Sequence, residues 1–226
     1  MKLLYLLLDL GVIIFPFLLS FDKRVAYVKS WGKASIALIL IGIPFLIHDY
    51  YFTRMGIWGF NPDYLTGYYF FNLPIEEVLF FVVVPFACTF IYACCQYYTS
   101  STSYRRFNLF FYGCIACYAV LLLYLGWGKW YSSMVASVCL VFVSLLGLND
   151  SKYPHLPIAV VLSMLPFFLM NSILTGAFTA NPIVWYNDHQ NINFRWGTIP
   201  IEDVLYSFVL VAANILVFDY LKKRNA

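Results

Sequence analysis

Long apolar runs alternate with short polar segments along the whole chain. An α-helix needs about 17 to 25 residues to cross a bilayer, and seven runs approach or reach that length. They cover residues 3–20, 34–53, 74–97, 107–125, 131–148, 156–177 and 200–220. The strands of a membrane β-barrel would instead alternate apolar and polar residues over short segments. The pattern therefore predicts an all-α polytopic membrane protein with seven transmembrane helices.

Composition and charge support the same class and add an orientation. Only 11% of the 226 residues are charged, whereas soluble domains carry about a quarter. Ten of the 14 Lys and Arg residues lie in the odd-numbered loops and the C-terminal tail. Because positive residues resist translocation, we expect the N-terminus outside and the C-terminus in the cytoplasm, in a bacterial inner membrane. This asymmetry accounts for the net charge of +3, so no nucleic-acid partner is expected.

All six cysteines fall inside the third, fourth and fifth apolar runs. A thiol in such surroundings behaves as a small apolar group, and no cluster of histidines or carboxylates accompanies them. No metal site and no disulfide are therefore predicted. The cysteines are Cys88, Cys94, Cys95, Cys114, Cys117 and Cys139.

One short motif occurs twice. Residues 72–80 read NLPIEEVLF and residues 198–206 read TIPIEDVLY. The preceding segments also match, because setting Pro44 on Pro166 brings Asp49 onto Asn171. Matched segments of this length indicate an internal repeat.

The repeat predicts how the helices are organised. Helices two and three correspond to helices six and seven, helix one to helix five, and helix four is a connector. Corresponding helices lie four crossings apart, so two three-helix units run in the same direction through the bilayer. We expect a first repeat at 1–106, a connector at 107–130 and a second repeat at 131–226.

Each copy of the motif places two acids at a helix start. Proline and acids are also a favourable helix beginning on their own. However, both copies are predicted on one membrane face, with Asp49 and Asn171 at the same depth and only Arg54 and Arg195 as nearby cations. Several acids in one partly dry site cannot all stay ionised, and a protonated acid can deliver a proton. Aromatic residues, 21% of the chain, offer ring faces that stabilise cations, although a membrane-interface belt would also use them.

These residues resemble the non-flavin membrane lycopene cyclases, which occur as heterodimers in some actinobacteria and as tandem fusions elsewhere. The similarity extends over both halves. The matching pieces are NLPIEEVLFF, TIPIEDVLY, DYYFTRMGIW, GFNPDYLTG, NSILTG and VWYN.

The resemblance implies a single-chain fusion that converts the linear ψ end groups of lycopene into β-ionone rings. An acid protonates the terminal double bond, the cation is attacked by a neighbouring double bond, and a base removes a ring proton. This isomerisation needs no flavin or nicotinamide, and the chain has no G-x-G-x-x-G motif to hold one. The expected partners are the carotenoid and membrane lipid, and a homo-oligomer stays open.

The resemblance also assigns site residues. Glu76, Glu77, Glu202 and Asp203 are the catalytic candidates, and we favour Glu76 and Glu202 as the pair that faces the site. Asp49, Asn171 and Arg195 are supporting residues. The aromatic candidates for substrate binding are Tyr51, Trp58, Phe80, Trp185 and Tyr206.

Other functions fit the sequence less well. A retinal protein needs a lysine in the middle of the last helix, and none is present. A prenyltransferase needs paired Asp-rich motifs for magnesium, whereas Asp49, Asp63, Asp150 and Asp188 stand alone. A proton-coupled transporter and a related isoprenoid-modifying membrane enzyme remain open, since repeats with acids at helix breaks also suit transport.

Overall fold

The computed structural model describes residues 2–99 and 104–224, and these contain seven α-helices. Each helix matches one apolar run to within a few residues, so the all-helical expectation is confirmed. The helices are α1 (Leu4–Leu19), α2 (Trp31–Arg54), α3 (Ile75–Tyr98), α4 (Arg105–Leu125), α5 (Trp130–Leu148), α6 (Leu156–Leu174) and α7 (Glu202–Arg224).

Six of the helices, α2 to α7, are long and apolar enough to cross a membrane. Helix α1 has 16 residues and would be about 24 Å long at 1.5 Å per residue. It is as apolar as the others but falls below the usual span length. Six candidate spans are thus established for the described residues, and the seventh crossing stays a prediction.

Two loops contain short strands that the apolar pattern did not predict. The loop before α3 holds β1 (Trp58–Phe60), β2 (Tyr69–Phe70) and β3 (Leu73–Pro74). The loop before α7 holds β4 (Val184–Tyr186), β5 (Arg195–Trp196) and β6 (Ile199–Pro200). Strands β2 and β3 pair with each other, as do β5 and β6, and both pairs are antiparallel. Two-residue strands carry too few side chains to show the alternation on which sequence analysis depends.

Strands β1 and β4 join the two loops to each other. They are antiparallel, and Gly59 lies opposite Trp185 at the centre of the pairing. A Cβ atom at position 59 would lie 2.3 Å from Cζ2 of Trp185, so the tryptophan ring occupies the space that any other residue would need. This pairing fixes the loop of one motif against the loop of the other.

The contacts of the two halves recur at one spacing. Tyr69 pairs with Pro74, and Arg195 pairs with Pro200; residues 69 and 195 are 126 positions apart, as are the two Pro-Ile-Glu motifs. Helix α1 packs on α3, and α5 packs on α7.

Helices α3 and α7 form the centre of the bundle. They contact each other, α2 and α6, while α1 packs on α3 and α5 packs on α7. Helix α4 lies at the edge, mainly against α5. Because α3 and α7 begin with the duplicated motif, their central position brings the acids of both motifs into the interior.

Candidate active site

The first turns of α3 and α7 meet at a cavity of about 60 Å³. Glu77 of α3, Asp203 of α7 and Asp49 of α2 line it, and all three side chains are buried. Asn171 of α6 completes this polar part. Four residues that the sequence predicted to cluster at one depth are therefore brought together. The other lining residues are Tyr5, Trp58, Phe60, Phe80, Tyr131, Phe167, Leu174, Val184, Tyr186 and Tyr206.

Asp203 accepts three hydrogen bonds. Tyr131 donates its hydroxyl to Oδ1 at 2.5 Å. Oδ2 accepts from the Asn171 amide at 2.7 Å and from the Tyr186 hydroxyl at 2.9 Å. Hydrogen bonds of this kind stabilise the ionised form of a carboxyl group. The hydrogen-bond donors around Asp203 therefore favour its ionised form.

Tyr186, which lies in β4 outside the helices, remains a donor. Burial raises the pKa of Tyr186 well above its usual value, and the neighbouring Asp203 carboxylate raises it further. The hydroxyl consequently keeps its proton throughout the physiological pH range. It can therefore stabilise negative charge on Asp203 but cannot act as a phenolate base.

Glu77 and Asp49 have fewer partners than Asp203. The Tyr5 hydroxyl donates to Oε2 of Glu77 at 2.6 Å. The Trp58 side chain hydrogen-bonds Asp49, whose Oδ2 is buried and has no partner among the described residues. A buried oxygen without a partner costs less when the group is neutral than when it is ionised. These two carboxyl groups are the better holders of a transferable proton.

No lysine or arginine neutralises these acids in the described part of the chain. The two ion pairs found there join Arg195 to Asp188 and Lys223 to Asp219. Arg195 also lies over the Tyr186 ring, 5.8 Å from its centroid. The arginine that the sequence proposed as a supporter thus reaches Asp203 only through Tyr186.

The first acid of each motif points elsewhere. Glu76 Oε1 accepts the backbone N–H of Thr66 at 2.6 Å. Glu202 Oε1 accepts the backbone N–H of Ile192 at 2.7 Å and the Ser132 hydroxyl at 2.6 Å. Both glutamates are fully buried but hold the loops that precede their helices. Our expectation that Glu76 and Glu202 face the site is therefore corrected: Glu77 and Asp203 line the cavity.

Comparison with known proteins identifies the family. The family model described as lycopene cyclase matches residues 2–95 and 128–221. These segments cover most of the chain and begin 126 positions apart, the spacing at which the contacts recur. The chain belongs to the lycopene cyclase family.

One more distant similarity accompanies this match. A bifunctional lycopene cyclase/phytoene synthase of Aspergillus oryzae is 26% identical over 83 residues, which is 37% of this chain and 13% of that protein. The chain therefore spans only a small part of that relative's length. No solved structure matches the chain.

The aromatic candidates of this cyclase family member divide into two groups. Trp58, Phe80 and Tyr206 line the acid cavity. Tyr51 is 55% exposed and lies in a separate surface groove, and Trp185 is 42% exposed with its ring against Gly59. Only the first group is positioned to contact a substrate at the acids.

Sequence analysis missed the tyrosine donors of the cavity. Tyr5 and Tyr131 are 126 positions apart, and each donates to the second acid of its own motif, 72 positions further along. Aligning the first and fifth apolar runs at the motif spacing would have found this pair. Tyr186 belongs to the VWYN segment, but its contact with Asp203 depends on the β1–β4 pairing and has no local signal.

Metal-ligating side chains do not cluster in the described part of the chain. Among residues 2–99 and 104–224, no group of three or more His, Cys, Asp or Glu side chains could hold a metal ion. Cys88, Cys95 and Cys139 are buried, Cys94 is partly buried, and Cys114 and Cys117 are exposed on α4. All six are free thiols.

Proposed function

We propose that this chain cyclises lycopene, converting linear ψ end groups into β-ionone rings by a proton-initiated, non-redox reaction. Membership of the lycopene cyclase family supports the substrate class. The observation that carries the proposal is the convergence of Asp49, Glu77 and Asp203 on one cavity walled by aromatic rings. Glu77 and Asp203 lie at helix starts and Asp49 lies near the end of α2, whereas a proton-coupled carrier would be expected to hold its acids near the middle of the bilayer.

The reaction needs an acid, and Glu77 with Asp49 supplies it in our proposal. Three carboxyl groups crowded in one cavity without a cationic partner cannot all be ionised. Since Asp203 has most of the donors, the proton resides on the Glu77–Asp49 side. One of these groups protonates the terminal double bond of the ψ end and leaves a tertiary carbocation.

The same cavity then guides ring closure. The neighbouring double bond attacks the cation, which forms one carbon–carbon bond and moves the positive charge into the ring. The faces of Trp58 and Tyr206 stabilise this charge. Asp203 removes one ring proton, so one proton enters, one leaves, and no electrons are exchanged with a redox cofactor.

The proposal includes an architecture. We infer two parallel three-helix repeats, α1–α3 and α5–α7, joined by α4, with seven crossings and the acids near the outer face. It is supported by the contacts that recur at a spacing of 126 residues and by the two matched family segments. A C-terminal green fluorescent protein fusion should fluoresce, and an N-terminal one exported by the Sec route should not. Fluorescence from both would contradict an external N-terminus.

The direct test is expression in bacterial cells that accumulate lycopene, with pigments separated by chromatography. We expect a cyclic carotene to replace lycopene. Unchanged lycopene in the presence of well-expressed protein would refute the proposal. In heavy water each new ring should gain one deuterium, and rings without deuterium would exclude initiation by a proton from an exchangeable acid.

A further inference from the structure

Two grooves on the membrane-facing surface adjoin the acid cavity. The α5 groove lies between α2, α5 and α7 and has a volume of about 330 Å³. The α1 groove lies between α1, α3, α6 and α7 and has a volume of about 50 Å³. Tyr206 lines the cavity and both grooves. Phe80, Phe167 and Asn171 also line both the cavity and the α1 groove, so Tyr206 is the residue that the cavity shares with the α5 groove.

The two grooves are counterparts in the two halves of the chain. Val138 lines the α5 groove and Val12 lines the α1 groove, 126 positions earlier. The helix prolines Pro44 and Pro166, aligned in the sequence, lie one in each groove. The grooves nevertheless differ greatly in volume, so the pseudo-symmetry of the fold is broken at this point.

The acid cavity is too small for an acyclic terpenoid end. A volume of about 60 Å³ corresponds to roughly two molecules of liquid water, whereas the end that becomes a ring contains many more heavy atoms. The substrate must therefore occupy adjoining space while its terminal double bond reaches the acids. The α5 groove has that space, whereas the α1 groove offers about 50 Å³.

The lining of the α5 groove fits a polyene. Its walls are apolar except for His48 and Tyr206. The His48 ring lies 5.8 Å from that of Tyr206 and 5.4 Å from that of Trp58, centroid to centroid. These rings lead from the groove to the cavity. A conjugated chain that follows them exchanges lipid for aromatic and aliphatic contacts and leaves no polar group of its own unsatisfied.

Tyr206 is also held less firmly than the other tyrosines of the cavity. Its hydroxyl is buried without a hydrogen-bond partner among the described residues, whereas Tyr5, Tyr131 and Tyr186 each donate to a carboxylate. Turning the Tyr206 ring breaks no hydrogen bond. The wall between the α5 groove and the acids can therefore yield to an incoming chain.

We propose that the substrate reaches the acids only through the α5 groove, in which its polyene chain lies during cyclisation. The inference rests on the proposed function and assigns the side from which the chain is bound. One-sided binding also means that a molecule with two acyclic ends leaves after the first ring forms and returns with its other end. The one-ringed carotene is thus a released intermediate.

Matched substitutions in the two grooves test the inference. Val138→Leu, Val138→Phe and Val138→Trp fill the α5 groove in steps, and Val12→Leu, Val12→Phe and Val12→Trp do the same in the α1 groove. We expect conversion of lycopene to fall with side-chain size in the Val138 series, by on the order of 100-fold for tryptophan. The Val12 series should retain activity. Equal losses in both series, or a loss confined to Val12, would overturn the inference.

A binding measurement separates this result from misfolding and from failure of the proposed function. In an Asp203→Asn background, lycopene should co-purify with the protein, should be lost with added Val138→Trp and should be kept with added Val12→Trp. Size-exclusion chromatography in detergent checks that each variant is folded. If both variants retain equal amounts of lycopene, the carotenoid is not bound in the α5 groove, and the inference is refuted. Absence of cyclisation by the unaltered chain would refute the proposed function instead.

Discussion

Neighbouring acids in each motif have different surroundings. Successive residues of an α-helix point about 100° apart, so Glu76 turns to the backbone of its loop while Glu77 turns to the cavity. Glu202 and Asp203 divide in the same way. Loop attachment and, in our proposal, proton transfer thus belong to adjacent positions, and substitutions should separate them.

Replacing the second acids should abolish cyclisation. Glu77→Gln and Asp203→Asn keep the size of each side chain but remove the group that gives or takes a proton, so conversion of lycopene should fall by about 100-fold to 10,000-fold. Chromatography of pigments from lycopene-accumulating cells measures this loss.

The first acids provide the matched control. Glutamine keeps a carbonyl oxygen that can accept the backbone N–H, so Glu76→Gln and Glu202→Gln should retain most of the activity. Glu76→Ala, which leaves the Thr66 N–H without this acceptor, should lower the amount of folded protein. Loss of activity in folded Glu76→Gln, equal to that in Glu77→Gln, would contradict this division of roles.

Replacing a tyrosine donor should lower the rate of turnover more than it weakens substrate binding. Tyr186→Phe removes one of three hydrogen bonds to Asp203 without changing the ring, and a hydrogen bond to a charged group contributes about 1.5–3 kcal/mol. We expect kcat to fall by about tenfold to 100-fold with KM little changed. Tyr124→Phe on the exposed surface of α4 is the control. A change confined to KM would indicate that Tyr186 binds substrate and does not act through Asp203.

At the scale of elements, the turn between α4 and α5 supports the site. A Cβ atom at Gly126 would lie 2.3 Å from Cβ of Ser132 and 2.9 Å from the Leu122 carbonyl oxygen. Ser132 in turn donates to Glu202. Close packing at one glycine therefore fixes α5 against the start of α7, although α4 itself contributes no residue to the cavity.

Gly126→Ala should consequently destabilise the protein. The new methyl group cannot be accommodated without moving Ser132, and crowding of this kind costs about 1–3 kcal/mol. The melting temperature in detergent should fall, measured by the fluorescence of a C-terminal fusion after heating. Gly113→Ala, within α4, is the control. Its methyl group meets no atom within 4 Å, so the substitution should be neutral or should stabilise the protein by up to about 1 kcal/mol. Equal melting temperatures for both variants would contradict the argument.

At the scale of the whole molecule, one cavity is built from both halves of the chain. Asp49 and Glu77 come from the first half, whereas Asn171, Tyr186 and Asp203 come from the second. The β1–β4 pairing joins the two loops above the acids. Neither half alone contains all the carboxyl groups and aromatic rings that line the cavity.

Separating the halves should therefore abolish activity and recombining them should restore it. A chain cut between α3 and α4 and expressed as either part alone is expected to leave lycopene unchanged. The two parts expressed together should form cyclic carotene, because α2 and α3 of the first part pack on α6 and α7 of the second. Glu77→Gln in the first part is the control for residual activity. Cyclisation by one part alone would show that the shared cavity is not required.

Sequence analysis predicted the helices and the clustering of the acids but not the detail of the site. The repeat predicted that six residues cluster at one depth: Asp49, Glu76, Glu77, Asn171, Glu202 and Asp203. The structure brings Asp49, Glu77, Asn171 and Asp203 together at the cavity. The choice of Glu76 and Glu202 as the inward pair was not supported, since a helix start can present either of two adjacent residues. Tyr51 and Trp185 were named because aromatic composition alone does not distinguish a lipid-facing ring from a cavity wall.

The sequence by itself determined the helices, the spacing of the repeated motif and the convergence of acids from both motifs, because run length and motif spacing are read along the chain. Tertiary structure alone decided that Glu77 and Asp203 face the cavity, that Asp203 gathers three donors, and that one groove is wider than its counterpart. These features depend on the rotation of each helix about its axis and on contacts between residues 17 to 72 positions apart. The packing of all the helices determines these rotations and contacts jointly, so no single segment of the sequence encodes them.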